Sequence, residues 1–182
     1  KIQETNTLIE RYTEEQFSLL DFTNYNDRSL IVGGAGTGKT IMAIELAQRY
    51  LDNGKKVGFL CFNKKLGAFL ESSFKSYDLN DSFIGTFHNF LYKHVDCKSN
   101  NIDNDYFSTE LPFQYLIENE ESYKEFDVLI IDEIQDLLTD LYLEIFNTML
   151  TKGMNNGKWI FFGDFSNQAI YSKNIDLSLN NF

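Results

Sequence analysis

The densest chemical signal in the chain is Gly33-Gly34-Ala35-Gly36-Thr37-Gly38-Lys39-Thr40, directly after the apolar run Leu30-Ile31-Val32. Glycine reaches backbone angles closed to other residues but loses more freedom on folding, so such a cluster calls for a job that needs close backbone approach. The pattern G-x-x-x-x-G-K-[ST] supplies one: N–H groups turned inward on phosphate oxygens, a lysine charge for the outer phosphates, and a hydroxyl suited to Mg²⁺. A second candidate set is Asp132 and Glu133, which follow the apolar run Val128 to Ile131. An isolated Asp-Glu pair reads first as a polar strand end or a helix cap. Beside a phosphate loop, Asp132 can hold magnesium through water while Glu133 orients and deprotonates an attacking water. Two acids at the metal point to hydrolysis, because a kinase would need a site for an acceptor hydroxyl. A third set is Gly163-Asp164-Phe165-Ser166-Asn167-Gln168. The Gln168 amide has donors and an acceptor for a γ-phosphate or its attacking water; taken alone, it equally fits an exposed amide on a surface turn.

These residues need elements to position them, and the flanking patterns provide them. Ser29 to Val32 predicts a short buried strand, and Ile41, Met42, Leu46, Ala47, Tyr50 and Leu51 form a helical apolar stripe. Strand, loop and helix thus arrive in the order a phosphate loop requires, which a mere glycine-rich turn does not. Asp52-Asn53-Gly54 closes the helix, with Gly54 suited to the left-handed residue past its end. Further strands are expected at Lys56 to Phe62, Ser82 to Phe87, Phe126 to Ile131 and Lys158 to Phe162. Helices are expected at Glu10 to Tyr25, opened by Thr13, after Asn63 as a cap, around Phe90 to His94, from Phe113 to Glu120, and from Leu141 to Leu150. Residues 95–125, rich in Asn, Asp and Ser and holding the lone Pro112, are expected to be an insertion or lid. The alternation predicts an α/β fold with a central, mostly parallel sheet, helices on both faces, and ligands at the carboxyl ends of the strands.

Composition narrows the classes. The 182 residues fit one domain, and 43% apolar with 15% aromatic residues is ample for a core. No apolar run approaches the roughly 20 residues of a membrane span, and Lys1 to Glu10 lacks a signal-peptide core; a cytoplasmic protein is expected. Cys61 and Cys97 show no CxxC spacing, and with His88 and His94 as the imidazoles there is no zinc pattern. The net charge of −11 opposes holding nucleic acid by bulk electrostatics alone. The chain starts without Met, and its arginines, Arg11, Arg28 and Arg49, all lie in the first third; an excised piece of a larger protein is expected.

Taken together, the motifs resemble the first RecA-like domain of superfamily 1 helicases of the UvrD/Rep type. Tyr12-Thr13-Glu14-Glu15-Gln16 resembles the Q motif, GGAGTGKT motif I, and Gly58-Phe59-Leu60-Cys61-Phe62-Asn63-Lys64 motif Ia. Thr86-Phe87-His88-Asn89 is similar to the TFHS element, Asp132-Glu133-Ile134-Gln135-Asp136 to motif II, and Gly163 to Tyr171 to motif III, usually GDxxQxIY. The resemblance implies a RecA-like P-loop NTPase domain of three layers spanning residues 1–182, with ATP and Mg²⁺ as ligands. Gln16 would read the adenine, and Gly33, Gly34, Ala35, Gly36, Thr37, Gly38, Lys39, Thr40 and Ile41 would surround the nucleotide. Lys39 would reach the β- and γ-phosphates, Thr40 and Asp132 the magnesium, Glu133 the water and Gln168 the γ-phosphate. Phe62, Asn63, Thr86, His88 and Tyr171 would lie along single-stranded DNA or RNA. As plain residues, Phe62 and Tyr171 fit packing positions equally well, and His88 fits a structural imidazole.

The departures from that pattern carry their own implications. Tyr171 is followed by Ser172-Lys173-Asn174, where translocating relatives have an Arg/Trp pair. The segment between Asn89 and Phe126 is shorter than the family's inserted subdomain, so a duplex-splitting arm is expected to be absent. A second RecA-like domain, supplying arginines to the γ-phosphate, is expected outside these residues. Gly157 to Asp164 also resembles helicase-like ATPases found beside nuclease-related domains. Two functions therefore fit: an ATP-driven motor on single strands, or a P-loop ATPase switch in a defence or signalling protein. A scaffold with a dead site fits poorly, because Lys39, Thr40, Asp132 and Glu133 are all intact.

Overall fold

The computed structural model describes residues 14–79, 81–96, 105–119 and 125–165. Within them, β1 (Arg28–Val32), β2 (Val57–Cys61), β3 (Phe83–Thr86), β4 (Val128–Asp132) and β5 (Lys158–Gly163) form one sheet in the order β1-β5-β4-β2-β3. Every pairing is parallel. The helices are α1 (Glu14–Tyr25), α2 (Lys39–Asp52), α3 (Lys64–Ser73), α4 (Phe87–Lys93), α5 (Leu111–Glu118), α6 (Asp140–Met149) and the single turn α7 (Gly153–Asn156).

Successive strand residues point to opposite faces, and here the two faces meet separate cores. Leu129, Ile131, Trp159 and Phe161 join Phe90, Tyr115 and Phe146 on one side. Val128, Ile130, Ile160 and Phe162 join Leu20, Met42, Leu46 and Leu70 on the other. Both faces are covered, which is why β4 and β5 read as continuous apolar runs and not as alternating strands. The result is the three-layer α/β arrangement expected from the sequence, with a sheet that is wholly parallel.

Local chemistry explains the helix ends. The Asn63 side chain accepts from the N–H groups of Lys65 and Leu66, at 2.8 and 3.3 Å, and so caps α3. Past α2, Gly54 adopts φ 71°, its N–H bonds the Leu51 carbonyl and the Lys55 N–H bonds that of Tyr50, the paired closure that a left-handed glycine permits. The sheet strands fall within two residues of their expected bounds. β4 runs on to include Asp132, while Phe126 makes only an isolated bridge with Leu150.

Two features differ from expectation. α5 starts at Leu111, two residues early, because Pro112 sits in its first turn, where a missing N–H costs nothing. It is preceded by a π-helical turn, Tyr106–Glu110. Tyr106, Leu111 and Tyr115 are buried in the first core, so the described part of residues 95–125 belongs to that helical layer. Two short elements, the 3₁₀ turn Ile134–Asp136 and α7, are too brief for hydrophobic periodicity to announce. Among the described residues no helix is long and apolar enough to cross a membrane.

Candidate functional site

The loop between β1 and α2 rests on the neighbouring strand: the Gly33 N–H donates to the Gly163 carbonyl at 3.1 Å. Gly36 and Gly38 both take positive φ, 78° and 85°. At Gly38 it is the positive φ that disfavours a side chain; a Cβ would also displace the Gln16 amide, whose Nε2 would stand 2.6 Å away. That same Gln16 amide donates to the Thr37 carbonyl at 3.1 Å, tying α1 to the loop. Lys39 is buried and its Nζ donates to the Gly33 and Gly34 carbonyls, at 2.7 and 2.9 Å, folding back along the loop. Thr37 Oγ1 donates to the Gly34 carbonyl at 2.9 Å. Lys39, Thr40 and Ile41 occupy the first turn of α2, where N–H groups lack intrahelical partners and the helix dipole favours an anion. The Ile41 side chain is exposed.

The acids converge on this loop from β4. Thr40 Oγ1 donates to Asp132 Oδ2 at 2.5 Å, linking residues far apart in sequence, and the second oxygen, Oδ1, accepts from the Glu133 N–H at 3.0 Å. Asp132 is fully buried, and burial raises its carboxyl above the usual range, with the adjacent Glu133 charge adding to the rise and the Thr40 hydroxyl opposing it. Cys61 pairs with Asp132 across β2 and β4; burial, then the Asp132 charge, push its thiol up to about 12, so it stays protonated and inert. A hydroxyl and a carboxylate meeting at one point are hard oxygen donors of the kind magnesium takes beside phosphate oxygens, so the residues present fit that ion. No trio of His, Cys, Asp or Glu able to cage a metal occurs among the described residues.

Glu133 departs from ordinary backbone geometry, with φ 57° and ψ 48°. A non-glycine residue held there stores about 1–3 kcal/mol, a cost found at functional positions. Its Oε2 accepts from Gln135 Nε2, and Gln135 Oε1 in turn accepts from the Asp164 N–H at 3.1 Å. Gln135 therefore ties the β4 acid to the end of β5. Sequence alone gives Gln135 no role, because its link to Asp164 exists only once the ends of β4 and β5 lie side by side.

The strand-facing candidates lie at the same end of the sheet, beyond β2 and β3. Phe62 is 44% exposed and meets the His88 ring edge-to-face at 5.3 Å. Asn63 caps α3, and Thr86 Oγ1 caps α4 by accepting from the Asn89 N–H at 3.2 Å, so both have structural duties. His88 is ringed by Phe87, Phe107 and Tyr142, and burial lowers its pKa. Gln168 and Tyr171 lie outside the described residues.

Comparison with known proteins gives a family and a fold. A family model described as an AAA domain matches residues 19–174. Among solved structures, the Pif1 helicase from Candida albicans superposes with a TM-score of 0.53 at 18% identity, over 85% of this chain and 32% of that one. Domain III of the replication initiation protein DnaA from Thermotoga maritima gives a TM-score of 0.44 at 18% identity, over 82% of this chain and 50% of that one. No curated protein matches the chain. The chain spans about a third of the Pif1 helicase it superposes on. With its phosphate loop and all-parallel sheet, the chain belongs to this AAA domain family, and its fold is that of a RecA-like P-loop domain.

Proposed function

We propose that this domain binds ATP with Mg²⁺ and hydrolyses it to drive movement along single-stranded DNA or RNA. The observation that carries the nucleotide half is the Thr40–Asp132 contact at 2.5 Å, which joins the loop after β1 to the acid ending β4. Lys39 exchanges its two carbonyl partners for phosphate oxygens, and the first-turn amides of α2 hold the rest of the charge. Thr40 and Asp132 would hold the magnesium ion, which supplies neutralisation of the charge building on the β- and γ-phosphates. Glu133, aimed by its left-handed backbone and by Gln135, orients the attacking water and takes its proton. The Gln16 amide's bond to the Thr37 carbonyl supports a role for Gln16 in reading the adenine, and Gln168 would meet the γ-phosphate.

The strand-binding half rests on the resemblance of Phe62, Asn63, Thr86, His88 and Tyr171 to helicase elements, and on their gathering, where described, at one end of the sheet. A second RecA-like domain supplies arginines across the cleft in this family; the 182 residues alone then bind ATP and turn it over slowly, since an arginine finger is worth about 10³–10⁵ in rate. A second reading, a switch ATPase holding protein partners, draws on the net charge of −11. Turnover of the full-length protein with and without single strands separates the two: stimulation of about tenfold or more supports the motor, and indifference to DNA and RNA alike supports the switch.

A further inference from the structure

A polar groove crosses the amino ends of the strands, at the end of the parallel sheet opposite the phosphate loop. It consists of two adjoining cavities, of about 280 and 350 Å³, that share Asp27, Asn156 and Gly157. Its walls are the connectors leading into β1, β5, β4 and β2, which are neighbours in that order. Three strand spacings make a floor of about 14 Å, the reach of about four extended residues. One wall is fixed in place. The turn α7 is held from α6 by Asn147 Oδ1, which accepts from the Met154 N–H at 2.9 Å, and from β5 by the Trp159 indole, which donates to the Met154 carbonyl at 2.9 Å. From β1, the Arg28 guanidinium donates to the Asn155 carbonyl at 2.8 Å. Gly153 takes φ 66°, and its carbonyl leaves no room for a Cβ at Gly157. A single turn bonded from three elements is a preorganised surface, which loses little freedom when something docks on it.

The charge in the groove is the reverse of the chain's. The whole sequence has 27 acidic against 16 basic residues, whereas the groove is lined by Arg28, Lys55, Lys152 and Lys158 with only Asp27 and Asp127 as acids. Both acids are engaged: Asp27 Oδ1 lies 3.2 Å from Lys158 Nζ, and Asp127 Oδ2 accepts from the Lys56 N–H at 3.0 Å. Lys55 and Lys152 are exposed, and neither forms an ion pair among the described residues. Asn155 and Asn156 present exposed side-chain amides along the α7 wall. Tyr25, 89% exposed, stands at the β1 end. We propose that this groove docks an extended acidic segment of a partner protein. The lysines meet its carboxylates, the amides offer the donors and acceptor that a peptide group needs, and Tyr25 is an aromatic anchor of the kind enriched at interfaces. Asp27 and Asp127 disfavour a nucleic-acid backbone, which carries a phosphate at every step, whereas a peptide can set a neutral residue opposite each acid. The groove is separate from the nucleotide site, since none of its residues belongs to the phosphate loop or to the Asp132–Glu133 pair.

Fluorescence anisotropy on the full-length protein tests it, with a labelled peptide of about eight residues alternating Glu and Thr as the probe, at about 50 mM salt, where charge contacts are weakly screened. The peptide is expected to bind about tenfold or more tightly than its counterpart with Gln for Glu. Lys55→Glu combined with Lys152→Glu, both at exposed positions, is expected to weaken it by about tenfold or more. Lys65→Glu combined with Lys75→Glu makes the same change in net charge at α3 and just past it, away from the groove, and is expected to leave binding within about twofold. Tyr25→Ala is expected to weaken the peptide by about fivefold. No binding of the Glu peptide, equal binding of the Glu and Gln peptides, or equal losses in the two double variants overturns the groove. Displacement of the peptide by a single strand of about eight nucleotides overturns the protein partner in favour of nucleic acid.

Discussion

On the proposed function Lys39 and Glu133 would serve different stages of one reaction, and single substitutions separate them. The Lys39 ammonium, inside the loop on the Gly33 and Gly34 carbonyls, would contribute to binding itself. Glu133 follows Asp132 and bonds Gln135, away from the carbonyls that hold Lys39. Glu133→Gln should therefore leave ATP affinity within about twofold while lowering turnover in the full-length protein by about 10²-fold or more, the usual share of a general base; parallel calorimetry and steady-state kinetics check this. Gln135→Ala removes the link from Glu133 to the Asp164 N–H. As a positioning change it should lower kcat with little effect on KM, and Gln135→Glu should not restore the rate, because a carboxylate cannot donate to Glu133.

Element geometry turns on a few close approaches. Gly67→Ala forces a methyl to within 2.5 Å of the Thr86 methyl, so α3 must lift from β3; a cost of about 1–3 kcal/mol is expected in urea unfolding. Asn63→Ala removes a cap that satisfies two N–H groups and should cost about 1 kcal/mol. His94 offers a pH-dependent contact. It stacks on Phe90 at 4.2 Å and pairs with Glu125 at 3.5 Å across from α4 to the entry of β4. The Glu125 hydrogen bond raises its pKa above 6.5, outweighing burial. A raised histidine pKa adds stability that is full below 6.5 and lost as pH rises through the higher folded value. Glu125→Gln should flatten that loss, as unfolding midpoints measured on both sides of neutrality will read.

The same elements show what was legible beforehand. The Asn63 cap and the closure at Gly54 depend on neighbours a few residues away, so the sequence pattern carries them. The β4 and β5 strands were legible because both faces are buried, and their adjacency, on which a role for Gln168 depended, is present in the register Ile131 to Phe161. Gln135 was not legible. It bonds the Asp164 N–H, a partner that only folding brings near. α5 begins two residues before its expected start because Pro112 occupies the helix's first turn, where the missing N–H has no intrahelical duty.

For the molecule as a whole, the proposed motor function sets an acidic domain on a polyanionic strand. A net charge of −11 leaves little for counterion release, so strand affinity should come from aromatic contact at the exposed Phe62 and from partner domains. Binding by the isolated domain is then expected to vary only weakly with salt, the slope of log K against log salt staying well short of the steep values of basic DNA-binding proteins; titrations at several salt concentrations check this.

Everything functional depends on the glycine loop holding a triphosphate against Lys39 and the Thr40–Asp132 pair. Isothermal titration of ATP, with magnesium present, into wild type and Lys39→Ala measures this directly. The account predicts binding by the wild type and a loss of about tenfold or more in the variant, the worth of a hydrogen bond to a charged group. Equal affinities in the two proteins would contradict it.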